Sequence, residues 1–208
     1  MPDTSAPRRP LAFAVFLVIA GAIGLLAAFE LSLEKVLTLE DPSHVPSCNV
    51  GVLVGCSVNL ASEQGSAFGF PNPFLGLMMW PAVVVVGMSL IAGARFARWY
   101  WLVFNAGVAF ALGFVVWLIV QSIYVLDVLC PWCMATWAVT IPTFFAVTLY
   151  NLREGHLPAS ARVRRIAAAW FKWIPLITVV CYAIVVILAQ LQMNAIPRVL
   201  LDLQNLFG

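Results

Sequence analysis

The chain has 208 residues, of which 63% are hydrophobic and only 10% are charged. A typical soluble domain is about 25% charged, so these few polar side chains could not cover a water-exposed surface, and a soluble globular protein is excluded. The formal net charge is +2, and the basic residues occur in short groups between apolar stretches. No continuous basic surface is indicated, so nucleic-acid binding is not expected. The composition predicts an integral membrane protein.

Five stretches without Asp, Glu, Lys or Arg are each long enough for a membrane-spanning helix, since crossing roughly 30 Å of hydrocarbon takes about 20 residues. The first stretch follows Arg8 and Arg9 in the manner of a signal peptide, but no small-residue cleavage site occurs near Glu30, and a retained helix is expected. We therefore predict transmembrane helices over residues 11–32, 74–94, 99–121, 129–151 and 173–194.

The basic residues are divided unequally between the segments that join these helices. With a cytoplasmic N-terminus, only Lys35 and Arg198 would lie outside, and the cytoplasmic set would be Arg8, Arg9, Arg95, Arg98, Arg153, Arg162, Arg164, Arg165 and Lys172. Because cytoplasmic loops carry an excess of Lys and Arg, we predict this orientation in the cell (inner) membrane. The loop 33–73, the turn around Asp127 and the tail from about 195 are then extracytoplasmic, and segment 152–172 is a cytoplasmic linker.

Four of the five cysteines are predicted to lie on the extracytoplasmic side, where thiols can form disulfides. Cys48 and Cys56 lie in the loop, and Cys130 and Cys133 form a Cys-x-x-Cys motif at the predicted N-terminus of the fourth helix. The helix dipole at that position makes one sulfur a usable nucleophile. A static disulfide or a zinc site is the alternative, although the loop pair lacks the close spacing of a zinc knuckle. Cys181, within the fifth span, is predicted to be a packing residue.

Two cysteine pairs on one side of a membrane favour a redox relay. Thiol–disulfide exchange passes two electrons through a mixed disulfide, so the loop pair can collect electrons from a soluble partner and deliver them to the helix-end pair. At a helix end in the membrane interface, the natural acceptor is a lipid-soluble quinone that approaches Cys133 from the bilayer. No metal is predicted.

The order and spacing of these residues resemble the vitamin K epoxide reductase family, in particular its bacterial quinone-reducing members. The shared features are a loop pair separated by seven residues, Cys48 and Cys56, a serine six residues later, Ser62, the segment Phe68-Gly69-Phe70-Pro71-Asn72-Pro73-Phe74-Leu75-Gly76, and the later Cys-x-x-Cys. The resemblance implies an all-α integral membrane protein with a four-helix transmembrane bundle as catalytic core and a fifth transmembrane helix. The corresponding divisions are 1–151 for the core, 152–172 for the linker and 173–208 for the fifth helix and tail.

The resemblance also implies a role for each of the four cysteines. Cys48 would face the soluble partner, Cys56 would exchange with Cys130, and Cys133 would lie nearest the quinone. Some relatives carry a fused thioredoxin-like domain after the fifth helix, and no such domain is expected here. The expected partner is therefore a separate secreted thioredoxin-fold (DsbA-like) protein.

The implied quinone pocket contains Asn72, which matches an asparagine that hydrogen-bonds a quinone oxygen, and Ser62, which matches a serine that supports the loop or pocket. Asn72 is equally typical of a turn before Pro73, and Ser62 of a helix N-cap. The candidates for the apolar wall are Leu75, Trp80 and Trp137. Vertebrate enzymes have a tyrosine at the position of Trp137, which weakens the case for epoxide reduction here, whereas simple quinones (menaquinone or ubiquinone) still suit an aromatic wall and are the expected substrates.

We therefore predict a quinone-dependent membrane thiol oxidoreductase that supports disulfide bond formation in secreted proteins. One alternative is a membrane disulfide oxidase of the unrelated DsbB type, in which the Cys-x-x-Cys motif precedes the spaced pair, the reverse of the order here. The other alternative is a non-catalytic membrane scaffold whose cysteines form structural disulfides.

Overall fold

The computed structural model describes residues 10–51 and 53–207, so Arg8 and Arg9, which contributed to the predicted orientation, lie outside the described residues. The described chain is mostly helical, and the β-pairing among the described residues is an isolated bridge between Val54 and Leu129. Its helices are α1 (Leu11–Glu40), α2 (Ser57–Ala61), α3 (Pro73–Ile91), α4 (Arg98–Gln121), α5 (Pro131–Glu154), α6 (Ala161–Trp170), α7 (Ile174–Met193) and α8 (Ala195–Phe207). The shorter elements are the 3₁₀ turns Glu63–Ser66 and Phe171–Trp173 and the π-helical turn Ser122–Leu126.

Five helical segments are long and apolar enough to cross a membrane, and each coincides with a predicted span. They are Leu11–Glu40, Pro73–Ile91, Arg98–Leu126, Pro131–Glu154 and Ala161–Met193. The agreement confirms the predicted all-α membrane fold. In this fold α1 packs against α3 and α5, and α4 packs against α5.

The first helix is longer than predicted, because α1 continues to Glu40 instead of ending near residue 32. Two charged residues just beyond the predicted end, Glu34 and Lys35, bind the following loop. The Glu34 carboxylate accepts hydrogen bonds from the backbone N–H and the hydroxyl of Ser47, and the Lys35 ammonium donates to the Leu60 carbonyl (2.6 Å). The first part of the predicted loop 33–73 is therefore helical, and it forms the surface on which the rest of the loop folds.

Small residues allow α1 and α3 to approach closely. A side chain at Gly24 would overlap the ring of Trp80, and a Cβ at Gly76 would lie 2.6 Å from the Ala28 Cβ. Association through small residues is common between membrane helices, since lipid tails remove the hydrophobic driving force that operates in water. The close packing buries Trp80 and fixes its position in α3.

A proline in α5 explains how the fifth span is attached. Pro142 has no N–H to donate to the Ala138 carbonyl one turn earlier. The Tyr182 hydroxyl, on α7, donates a hydrogen bond to that carbonyl. The fifth span is thus tied to the fourth at a backbone acceptor that the proline leaves free.

Two segments near the C-terminus contain helices that extend the sequence prediction. Part of the predicted linker forms α6, which is N-capped by the Ser160 side chain and continues through a 3₁₀ turn into α7. The tail, for which no helix was predicted, forms α8 after Asn194 ends α7 in the left-handed conformation (φ 48°). The Gln190 side chain accepts a hydrogen bond from the Ile196 N–H (2.8 Å) and so secures the start of α8.

Candidate redox site

The loop cysteines form a disulfide, Cys48–Cys56, that packs with Leu31 of α1. The Asn49 side chain shapes the loop between them. Its Oδ1 accepts hydrogen bonds from the backbone N–H groups of Cys56 (2.8 Å) and Ser57 (3.2 Å), and its Nδ2 donates to the Ser57 hydroxyl (2.6 Å). Asn49 thus connects the two ends of the loop and fixes the position of Cys56.

A short backbone pairing joins this loop to the segment before α5. The Leu129 N–H donates to the Leu53 carbonyl (2.9 Å), and the Gly55 N–H donates to the Leu129 carbonyl (3.1 Å). Both leucine side chains are buried, which shields the pairing from solvent. Because Cys56 and Cys130 directly follow the paired residues, the pairing brings these two cysteines side by side.

Cys130 is the N-cap residue of α5, and Pro131 begins the helix. The Cys130 Sγ is buried, lies 3.3 Å from the Cys56 Sγ, and accepts a hydrogen bond from the Cys133 backbone N–H (3.4 Å). Hydrogen bonding to Cys133 lowers the pKa of Cys130 and outweighs burial, which acts in the opposite direction. The motif therefore begins α5 at the predicted place, and the thiol next to Cys56 is the one favoured as a thiolate.

The four cysteines are arranged for exchange between the two pairs. Cys130 and Cys133 are free thiols in this structure, whereas Cys48 and Cys56 are bonded to each other. Attack of the Cys130 thiolate on Cys56 would form a Cys56–Cys130 mixed disulfide and release Cys48 as a thiolate. Electron flow in the other direction, with Cys56 attacking a Cys130–Cys133 disulfide, passes through the same mixed disulfide.

The chain that leads to Cys48 is anchored to α1 by the buried side chain of Glu34. The Glu34 carboxylate accepts from the Ser47 backbone N–H (3.0 Å) and hydroxyl, and it contacts the His44 Nε2 (2.8 Å). Cys48 follows Ser47 directly, so this anchor fixes the approach to the loop cysteine that keeps a little exposure, 8% against 0% for Cys56.

A cavity of about 440 Å³ lies beside the Cys-x-x-Cys motif, lined mainly by residues of α3, α4 and α5 and also by residues of α1, α2 and the 3₁₀ turn after α2. Its walls are largely apolar, and pockets that hold small organic ligands have volumes of roughly 300–1,000 Å³. The wall includes Cys133 together with four of the five predicted pocket residues, Asn72, Leu75, Trp80 and Trp137. The structure thus brings Cys133, one sulfur of the inner pair Cys130 and Cys133, to a largely apolar space of a size that holds small organic ligands.

Asn72 stabilises the turn before Pro73, which is one of its two predicted roles, and it also lines the cavity. Its Oδ1 accepts a hydrogen bond from the Ala67 N–H (3.0 Å), and its Nδ2 donates to the Gln64 carbonyl (2.6 Å). These bonds hold the loop in front of α3. They use one acceptor position and one donor of the amide, and leave a second of each.

Ser62 is an N-cap, as one of its two predicted roles required. Its hydroxyl accepts from the Gly65 N–H (3.0 Å) and donates to the Asn59 carbonyl (2.8 Å). Among the described residues, the cavity lining includes Asn59 and Gly65 but not Ser62 itself. The structure therefore places Ser62 behind the wall, where it supports residues that face the cavity.

Three polar residues near the site were not predicted from the sequence: Glu34, Asn49 and Asn59. Asn49 directly follows Cys48, and an asparagine in a tight loop is a signal for side-chain-to-backbone bonding that could have been used. Glu34 and Asn59 gave no such signal, because their partners lie on distant segments. Within residues 10–51 and 53–207, no group of three or more His, Cys, Asp or Glu side chains is arranged to hold a metal ion.

Comparison with known proteins places the whole arrangement in one family. The model of the vitamin K epoxide reductase family matches residues 15–148, a range that contains both cysteine pairs and the residues that line the cavity. No curated protein matches the chain closely enough to count as a relative. The family match covers well over half of the sequence and agrees with the membrane-spanning helices and the disulfide chemistry of the site. The chain therefore belongs to the vitamin K epoxide reductase family and is a multi-pass membrane thiol oxidoreductase.

Proposed function

We propose that the protein is a quinone-dependent oxidoreductase that reoxidises a secreted thioredoxin-fold protein and so supports disulfide bond formation. One observation carries the proposal: the Cys56 and Cys130 sulfurs are 3.3 Å apart, while Cys133 lines an apolar cavity. A thiol-exchange site is thereby joined to a space that suits a lipid-soluble electron acceptor.

The first step oxidises the soluble partner. A thiolate of the partner attacks Cys48, the more exposed loop cysteine, and the partner's second thiol then resolves the mixed disulfide. The partner leaves with a new disulfide, and Cys48 and Cys56 are left as thiols. Two electrons and two protons have passed to the loop pair.

The second step moves the electrons to the inner pair. The Cys56 thiolate attacks Cys130 of a Cys130–Cys133 disulfide, which releases Cys133 as a thiolate on the cavity wall. Cys48 then attacks Cys56, restores the loop disulfide and frees Cys130. The inner pair subsequently passes two electrons and two protons to the quinone, which gives quinol and the Cys130–Cys133 disulfide. Menaquinone and ubiquinone both have the flat apolar ring that this cavity would accept.

The direction of α5 supports an extracytoplasmic site. Its N-terminal end carries the Cys-x-x-Cys motif and its C-terminal end carries Arg153, followed by the basic residues of α6. Cytoplasmic segments are enriched in Arg and Lys, so we place this basic end and the N-terminus in the cytoplasm, and the cysteines on the other side of the cell (inner) membrane. In this proposal α1 to α5 form the catalytic unit, and α6 leads from it into α7, which crosses the membrane in the fifth span.

The proposal is tested by following quinol formation optically with purified protein, dithiothreitol and a water-soluble quinone. We expect the wild type to reduce the quinone, Cys133→Ala to lose the activity, and Cys181→Ala, whose residue lies on α7 outside the cysteine cluster, to retain it. Equal activity of Cys133→Ala and wild type would remove the inner pair from the mechanism. No quinone reduction by the wild type would favour a scaffold with structural disulfides.

A further inference from the structure

Several polar groups around the cavity already have hydrogen-bond partners. The hydroxyls of Thr136, Thr140 and Thr143 each donate to a carbonyl one turn earlier in α5. Asn72 bonds within the loop through both ends of its amide. These groups satisfy the local backbone, so each is only partly available to a molecule in the cavity.

Asn59 differs from these residues. Its Nδ2 is buried and has no hydrogen-bond partner among the described residues, although the residue lines the cavity. Buried amide groups are nearly always hydrogen-bonded, because an unpartnered N–H loses its interaction with water and gains nothing in return. Asn59 therefore keeps an unused N–H donor on a residue that lines the cavity.

The amide of Asn59 is held in place relative to the redox site. Its Oδ1 accepts a hydrogen bond from the Ser122 hydroxyl (3.5 Å), and its backbone carbonyl accepts from Ser62 (2.8 Å). Asn59 lies in α2, one turn after Cys56, and Ser122 begins the π-helical turn that leads toward Cys130. The segments that position the two exchanging cysteines thus also orient this donor.

We propose that Asn59 donates a hydrogen bond from Nδ2 to a carbonyl oxygen of the bound quinone, and so helps to select quinones over other flat apolar molecules. The inference rests on the proposed function, because it takes the cavity beside Cys133 to be the quinone site. A quinone carries two carbonyl acceptors and no donor, so it can accept a hydrogen bond from the Asn59 N–H. Reduction places negative charge on these oxygens, so the same bond becomes stronger as electrons arrive.

The test compares two ligands that share a ring system. The first is 2-methyl-1,4-naphthoquinone, and the second is its 1,4-dimethoxy counterpart, in which ether oxygens replace the carbonyl acceptors. Binding is followed by quenching of tryptophan fluorescence, with the dimethoxy compound measured by competition, since Trp80 and Trp137 line the cavity. We expect Asn59→Leu and the isosteric Asn59→Asp to weaken quinone binding about tenfold and to change binding of the dimethoxy compound by less than about twofold.

Val58→Ala is the matched control, because Val58 is an exposed residue of the same short helix and does not line the cavity. It should bind both ligands as the wild type does. Reduction of the Cys48–Cys56 disulfide by dithiothreitol without quinone should proceed normally in the Asn59 variants and would show that the fold is intact. Unchanged quinone affinity in both Asn59 variants, or an equal loss for the two ligands, would overturn the inference.

The two proposals fail in different ways. If the wild type reduces quinone but the Asn59 variants bind it normally, the assignment of Asn59 is wrong and the proposed function stands. If the wild type binds quinone in an Asn59-dependent way but does not reduce it, the site assignment stands and the proposed activity is wrong.

Discussion

Asn49 takes no part in electron transfer in the proposed relay, yet its amide shapes the loop that carries the first disulfide. From the residue after Cys48, its three hydrogen bonds reach the backbone N–H groups of Cys56 and Ser57 and the Ser57 hydroxyl. A loop held in this way keeps Cys48 and Cys56 close together even when both are reduced. The stability of the loop disulfide therefore depends on a residue without redox chemistry.

We expect Asn49→Ala to make the Cys48–Cys56 disulfide easier to reduce, by about fivefold in its equilibrium constant, because a hydrogen bond contributes roughly 1 kcal/mol net. The measurement is a titration against a glutathione redox buffer in a Cys130→Ala/Cys133→Ala background. Ser57→Ala, which keeps the Cys56 N–H bond to Asn49, should give a smaller change. A titration curve for Asn49→Ala that superimposes on that of the Cys130→Ala/Cys133→Ala background would count against this role of Asn49.

A second residue-level prediction concerns the pH at which Cys130 becomes a nucleophile. Hydrogen bonding to Cys133 lowers the pKa of Cys130, so its thiolate persists as the pH falls below about 8.5 and is lost only when the pH falls through the lowered value. Ultraviolet absorbance of the thiolate, taken as the difference between wild type and Cys130→Ala, should show a midpoint below that of an ordinary cysteine. Cys133→Ala should move the midpoint upward, and a midpoint at or above the ordinary value in wild type would contradict the assignment.

The residues of the site differ in how far the sequence could predict them. Cys130 and Cys133 are recognisable because their spacing and the helix start are local features, and Trp137 lies one turn further along the same helix. Asn59 depends on a partner 63 positions away, which a single sequence does not reveal. The contact between Cys56 and Cys130 spans 74 positions and was predicted only through resemblance to a family.

At the level of secondary structure, the attachment of α7 to α5 depends on the carbonyl that Pro142 leaves without a helix partner. Tyr182→Phe removes its donor and should lower the free energy of unfolding by about 1 kcal/mol, the magnitude of a side-chain hydrogen bond in a membrane bundle. Unfolding of the protein in mixed micelles with increasing dodecyl sulfate gives this quantity. Tyr124→Phe, at an exposed tyrosine, is the control, and equal effects of the two changes would show that the Tyr182 bond contributes nothing.

The spans were predictable because a helix in lipid must be long and apolar, which is a property of sequence alone. The end of α1 was not, because Glu34 and Lys35 look like residues that leave the membrane but instead bind the loop. The helix in the tail was likewise not predicted, because α8 has 13 residues, too few to span a bilayer. A charged residue shows where a helix can reach water, but the contacts in the folded protein decide at which residue the helix ends.

The proposed relay requires that the whole protein has one orientation in the membrane, with the four cysteines of the site on the extracytoplasmic side. Single cysteines introduced into a cysteine-free background by Ser43→Cys and Ser160→Cys lie at exposed positions on opposite ends of the bundle. In right-side-out vesicles, an impermeant maleimide should label the first variant at once and the second only after detergent is added. The reverse pattern would place the redox site in the cytoplasm and exclude a secreted partner.

In the proposed relay, electrons cross between the two pairs through a Cys56–Cys130 disulfide, and trapping that bond is the decisive test of the relay. In a Cys48→Ala/Cys133→Ala variant the resolving thiols are absent, so mild oxidation with diamide should leave an intramolecular Cys56–Cys130 disulfide, which mass spectrometry of a non-reduced digest identifies. Cys48→Ala/Cys130→Ala is the matched control and should give little bonding between Cys56 and Cys133. Recovery of Cys56 and Cys130 as free thiols, or of Cys56 joined to Cys181 or to a second molecule, would contradict the relay.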